Sequence, residues 1–109
     1  METRVKTIID LLSEKKAENI ETIDLRGKGY IVDDVIIATA LNNRHSISLL
    51  NYLRETLKPL GEEFVRVEED GEWSIIDMGD MLIHIMTEAH RDTYNIEEFL
   101  KEVKRGDYK

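Results

Sequence analysis

Asp33 and Asp34, Asp77 and Asp80, and His84 are the residues of this 109-residue chain whose types and spacing could do chemistry. Carboxylates gathered at strand ends can hold a divalent cation, and a cation so held can organise phosphoryl transfer. An imidazole can change charge near neutral pH. Plainer uses stand beside these. Aspartates crowd into turns because they hydrogen-bond their own backbone. Adjacent aspartates before an apolar run mark the wet end of a buried strand. A histidine set among Ile83, Ile85 and Met86 can be a satisfied core histidine.

The elements that must position these residues follow from periodicity. Trp73 to Met86 reads as two apolar strands joined at Gly79-Asp80. Trp73, Ile75 and Asp77 then share one face, and Asp80, Leu82, His84 and Met86 share a face of the next strand. Asp70-Gly71 is a two-residue type I′ hairpin signal, with a strand from Glu62 to Glu69 before it. The result is a three-stranded meander expected near the middle of one sheet.

Upstream, Val5, Ile8, Ile9 and Leu12 form the apolar stripe of a helix over 3–17, with Thr3 able to cap it and Lys15 and Lys16 in its last turn. Ile20 to Arg26 reads as a strand with Ile23 and Leu25 inward and Asp24 and Arg26 close enough to pair. Gly27-Lys28-Gly29 is a loop. Val35 to Leu41 is apolar without alternation, as in a central strand covered on both faces. Asn42 and Asn43 open a helix to about Lys58, with Ile47, Leu50, Leu53 and Leu57 as its buried stripe and Pro59 and Gly61 as its stop. Arg44 and His45 in its first turn oppose the helix dipole, so they bind an anion or pair with the Asp33-Asp34 end of the neighbouring strand. After Met86 a short helix, a break near Tyr94-Asn95 and a second helix to Val103 complete the domain, residues 1–103. Residues 104–109 read as a frayed tail.

Composition narrows the function. Lys and Arg number 15 against 23 Asp and Glu, a formal net charge of −8. That balance argues against phosphate-backbone affinity as the main attraction, so no direct sequence-specific nucleic-acid binding is expected, and it favours a basic partner, a protein or a cationic small molecule. Six acids lie between Glu62 and Glu72 against the single Arg66, and Trp73 follows at once. Such an aromatic beside acids anchors a basic protein or sits in the core of a solvated hairpin. The absence of cysteine removes disulfides, thiol nucleophiles and cysteine metal sites. No apolar run is long enough to span a bilayer and the first residues hold no signal core, so a cytoplasmic protein is expected.

From about Ile9 to Leu100 the chain resembles the Iojap family of ribosomal silencing factors. The resemblance rests on an ordered set: Asp24-Leu25-Arg26; Ile36 to Thr39 followed by Asn43-Arg44-His45; Gly71-Glu72-Trp73; Asp77-Met78-Gly79-Asp80; His84-Ile85-Met86; and Glu88, Arg91, Tyr94 and Glu97. Ala40, Asn43 and Phe99-Leu100 depart from the usual pattern of Gly, Ser and Leu-Trp. The resemblance implies a single α/β domain of α+β type, a mixed five-stranded sheet flanked by helices in the order αββαβββα, similar in fold to nucleotidyltransferases. It implies binding to the large ribosomal subunit through ribosomal protein L fourteen, steric exclusion of the small subunit, and frequent homodimers. It implies no enzyme, cofactor or metal. A nucleotidyltransferase would need a Gly-Ser phosphate loop and Mg²⁺-holding carboxylates; no Gly-Ser pair occurs here, and nothing basic in sequence flanks Asp77 and Asp80 to hold a triphosphate.

The expected partner-binding face is the hairpin with the Gly79 turn: Glu72, Trp73, Asp77, Met78, Asp80 and His84, with Arg91 and Tyr94 at its margin. The competing readings are a metal-dependent phosphoryl-transfer enzyme built on Asp33, Asp34, Asp77 or Asp80, and a dimeric scaffold without a ribosomal role.

Overall fold

A computed structural model describes residues 2–105. The chain runs α1 (Glu2–Glu14), β1 (Glu18–Asp24), β2 (Asp34–Ala40), α2 (Asn43–Leu57), β3 (Arg66–Glu69), β4 (Trp73–Asp77), β5 (Met81–Thr87), α3 (Glu88–Tyr94) and α4 (Ile96–Arg105). The five strands form one mixed sheet in the order β1-β2-β5-β4-β3. Only β2 and β5 pair in parallel, in register from Asp34↔Met81 to Ala40↔Thr87.

Burial explains why β2 and β5 are central. All seven residues of β2 are buried, as are the first six of β5. Neither strand alternates, because helices cover both faces there. On one face Ile8 and Leu12 of α1 and Leu49, Leu50, Leu53 and Leu57 of α2 pack on Ile36, Ala38, Ile76, Ile83 and Ile85. On the other, Leu100 and Val103 of α4 pack on Ile23, Val35, Ile37, Leu82 and Met86. Each fully enclosed aliphatic side chain contributes about 1.5–3 kcal/mol by leaving water.

Several expectations change in detail. The meander runs from the sheet centre outward: β5 is central and β3 is an edge strand of four residues. The turn before β4 is not type I′. Only Gly71 takes a positive φ, +74°, and the Glu72 amide donates to the Asp70 carbonyl at 2.7 Å across it. One glycine in a γ-turn does the work expected of two left-handed residues. Ile47 lies outside the stripe of α2, at 38% exposure, and Ser46 and Leu49 take its place. Helix α1 already includes Thr3 and ends at Glu14, so Thr3 does not cap it and Lys15 and Lys16 lie in the turn beyond it. Helix α4 continues to Arg105, so Lys104 and Arg105 are helical; residues 106–109 lie outside the described residues.

The α2 start follows from its sequence. The Asn42 side chain accepts from the His45 amide at 2.8 Å, satisfying one free N-terminal donor. His45 Nδ1 accepts from the Leu41 amide at 2.9 Å, so Nε2 carries the proton and donates to the Lys15 carbonyl at 2.8 Å. His45 thus staples the end of α1 to the start of α2. Neither it nor Arg44 reaches Asp33 or Asp34, which lie at the opposite end of β2.

Candidate functional site: an aromatic ledge on the open half of the sheet

Helices α3 and α4 cover only part of their face. Between α3 and the edge strand β3 the sheet remains open, and a groove there is lined by Ile31, Arg66, Glu68, Ile75, Asp77, Leu82 and His84. Register accounts for this lining. Glu68↔Ile75↔His84 and Arg66↔Asp77↔Leu82 are cross-strand neighbours, so one row of each strand points into the groove. Ile31, in the β1–β2 connection, closes one end and is 78% exposed.

The other end rises to an aromatic ledge. Trp73 opens β4 and is half-buried. Its indole Nε1 donates to His84 Nδ1 at 3.1 Å, and the two rings stack with centroids 5.9 Å apart. His90 leans on the same indole at 4.9 Å, and Tyr94 lies tilted against His90 at 4.4 Å. Tyr94 is 64% exposed. Four rings therefore run from a buried imidazole out to a phenol at the surface.

The Trp73 bond sets the state of His84. Nδ1 accepts, so this nitrogen is unprotonated. Burial lowers the His84 pKa to about 4, because an imidazolium would lose its water there. The ring is neutral at physiological pH and anchors the tryptophan.

Arg91 lies beneath the ledge. It is buried, yet its guanidinium is fully engaged. Nη1 donates to the Asn19 carbonyl at 2.7 Å and to Thr39 Oγ1 at 2.6 Å, and Nε donates to Glu97 at 2.5 Å. Glu21 stands 3.6 Å from Nη2. The Asn19 carbonyl is available because β1 bulges between Glu18 and Glu21, with Asn19 at φ +47°. The Arg91 guanidinium holds the Glu97 carboxyl below its usual pKa. Arg91 thus ties α3 and α4 to β1 and β2, and α3 carries His90 and Tyr94.

The eight expected site residues separate into three groups. Trp73, His84 and Tyr94 meet in the ledge, and Asp77 lines the groove. Glu72 is exposed in the adjoining turn. Met78 is buried in the cluster beneath α1 and α2, and Arg91 is the clamp just described, so both hold the site from behind. Asp80 is drawn to the α1 side, where Arg4 pairs with it at 2.8 Å and with Glu62 at 2.8 Å. That guanidinium lowers the Asp80 pKa. Sequence reasoning missed His90 and Ile31. His90 had a signal, since it sits four residues before Tyr94 on one helix. Ile31 had none.

The aspartates considered for metal chemistry share one end of the sheet, where the Asp33 amide donates to the Asp80 carbonyl at 3.0 Å. Their side chains are mostly committed elsewhere. Asp34 takes a two-pronged bond from Arg26 at 3.0 and 2.7 Å, Asp80 is held by Arg4, and Asp77 accepts from the Gly79 amide at 2.9 Å. Among the described residues no three carboxylates or imidazoles converge on a point where a cation could sit. No helix among them is long and apolar enough to cross a membrane.

Comparison with known proteins agrees with this architecture. A family model described as "Ribosomal silencing factor during starvation" (RsfS) matches residues 1–109. The ribosomal silencing factor RsfS of Chromobacterium violaceum is 35% identical over 84% of this chain and 77% of its own length. That of Haemophilus influenzae is 29% identical over 86% of this chain and 94% of its own. The maize chloroplast protein Iojap is 32% identical over 80% of this chain but only 39% of its own length. A Chromobacterium violaceum crystal structure superposes with a TM-score of 0.86 at 32% identity, covering 93% of this chain and 86% of that one. The chain belongs to the RsfS family of ribosomal silencing factors.

Proposed function

We propose that the chain binds the large ribosomal subunit through ribosomal protein L fourteen and blocks joining of the small subunit by occupying the surface between them. The observation that carries this reading is the aromatic ledge beside an open groove. Trp73, Tyr94, Ile75 and Ile31 offer an apolar centre, and Glu68, Glu72 and Asp77, with Arg66 paired to Glu68, a net acidic rim. Interfaces are built this way, with aromatic anchors inside a polar border. The rim and the net charge of −8 suit a basic ribosomal protein and would steer it in.

The mechanism is steric and needs no chemistry. A patch of roughly 800 Å² per partner supports specific association, and the groove with its ledge is a natural centre for one. Of the expected residues, Trp73, Tyr94, Asp77 and Glu72 make contact, His84 orients Trp73, and Met78, Asp80 and Arg91 keep the strands and α3 in place. Self-association through the same face would compete with the ribosome. The protein acts in the compartment that holds the ribosomes, the cytoplasm.

Co-sedimentation with isolated large subunits, followed by addition of small subunits, tests this. Binding with loss of joined ribosomes is expected. Free joining at saturating protein would contradict it.

A further inference from the structure

Along the outer face of α2, four cations gather without carboxylate partners among the described residues. Arg4, Arg26, Arg66 and Arg91 each pair with carboxylates. Lys15, Arg44, Arg54 and Lys58 have no ion-pair partner among the described residues, and they share one surface. Two shallow depressions there are contiguous through Asn51 and Glu55. Lys15 sits over the Tyr52 ring at 4.6 Å.

Arg54 and Lys58 stand at the C-terminal end of α2, where the helix dipole favours cations. Arg44 is different. It is exposed in the first turn, where the dipole disfavours a cation, and α2 has no acid in that turn to offset it. His45 beside it is explained by its two hydrogen bonds; among the described residues Arg44 has no ion-pair partner to explain it. A cation held where the fold disfavours it points to an anion outside.

This surface also adjoins the ledge. Gly71, in the turn that leads to Trp73, lies against Asn43: a Cβ on Gly71 would meet the Asn43 side-chain Nδ2 at 3.4 Å, in van der Waals contact. The start of α2 and the rim of the proposed protein-binding face therefore form one edge.

We propose that the outer face of α2 contacts the phosphate backbone of ribosomal RNA while the ledge engages ribosomal protein, so that the chain straddles a protein–RNA boundary on the large subunit. This rests on the large-subunit reading above. The chemistry is backbone recognition by arginine, lysine and the Asn51 amide, without base readout. The face also holds Glu55, yet its four cations outnumber that acid in a chain that is acidic overall.

The test is the salt dependence of large-subunit binding by wild type, Arg44→Glu, Arg44→Glu/Arg54→Glu and Trp73→Ala. Each phosphate contact contributes roughly 0.9 to the slope of log K against log salt on a duplex. The double variant should lose about tenfold in affinity at low salt and flatten the slope by roughly 1.8. Arg44→Glu alone should melt no lower than wild type, since an acid suits the first turn, which separates lost binding from lost folding. Trp73→Ala should weaken binding with the slope unchanged. Hydroxyl-radical footprinting should show RNA backbone protected by wild type and exposed in the double variant. Unchanged affinity and slope in that variant overturn the proposal and leave the ledge reading intact. A flattened slope with no RNA protection also overturns it, since the anionic partner is then an acidic protein. No binding by wild type overturns both readings.

Discussion

The two faces of the sheet are finished to different degrees. Beneath α1 and α2, Ile36, Ile76, Ile83 and Ile85 are fully enclosed, and leucines from two helices interdigitate with them. On the other face α4 closes the half over β1 and β2, while Ile75, Asp77 and the β3 side chains remain accessible. One face specifies the fold. The other keeps apolar and aromatic surface at the boundary with water, where a partner can complete what the chain leaves open. Changes on the closed face should act on stability, and changes on the open face on binding.

Arg91 joins the two and should give the largest effect. Arg91→Met strands Glu97 and leaves the Asn19 carbonyl and Thr39 without their donor. Removing one partner of a buried charge pair costs about 3–5 kcal/mol. Chemical denaturation should show that loss, and Trp73 emission should shift as α3 detaches. Arg91→Lys should recover only part, because an ammonium cannot reproduce the planar fork. A stable Arg91→Met with unchanged emission would break the link between the faces.

Leu53→Ala sharpens the comparison from the closed side. Leu53 is completely enclosed, so about 2–5 kcal/mol of stability should be lost. Under conditions where the variant remains folded, its large-subunit affinity should match wild type.

His84 supplies a pH signature of the open face. Its folded pKa, about 4, lies below the ordinary value of 6.5. The unfolded chain therefore takes up a proton first as pH falls. Stability from the neutral buried ring is complete above about pH 6.5 and is lost progressively down to pH 4, by up to about 3 kcal/mol. The depressed carboxyls of Asp80 and Glu97 lose their contributions at lower pH, as their folded forms protonate. Urea melts of wild type and His84→Gln between pH 7 and 4 should differ in slope. Parallel curves would mean the ring is better hydrated than its burial indicates.

Trp73→Ala should cost more than 1 kcal/mol in large-subunit affinity if it is an anchor. It is half-buried, so a melting-point drop accompanies the loss. Tyr94→Ala separates the two, because Tyr94 is mostly exposed and its removal should weaken binding with little change in melting. The smallest effect belongs to surface pairs such as Lys6 with Asp10. Lys6→Ala should change stability by less than about 0.5 kcal/mol and binding not at all.

Much of the fold was legible in the sequence. Val35 to Ala40 and Met81 to Met86 are apolar without alternation, interrupted only at Thr39 and His84, as doubly covered strands are. Asn42, Pro59 and Gly61 bracket α2, and the αL residue Asn95 divides α3 from α4. The local patterns could not say how far α4 extends over its face, because coverage depends on helix placement, not periodicity. The open groove was therefore invisible, and with it Ile31, a lone exposed isoleucine in a connection. Met78 and Arg91 were expected on the surface from their places in the chain. Their burial depends on α1, α2 and a bulge in β1 that lie far away in sequence.

The most direct measurement is co-sedimentation of a folded Ile31→Arg/Tyr94→Ala variant with large subunits, beside wild type. Both side chains are more than half exposed, so melting should be nearly unchanged. If the open face is the binding face, the variant stays in the supernatant while wild type pellets with the subunits. A variant that pellets like wild type would contradict the assignment of function to this face.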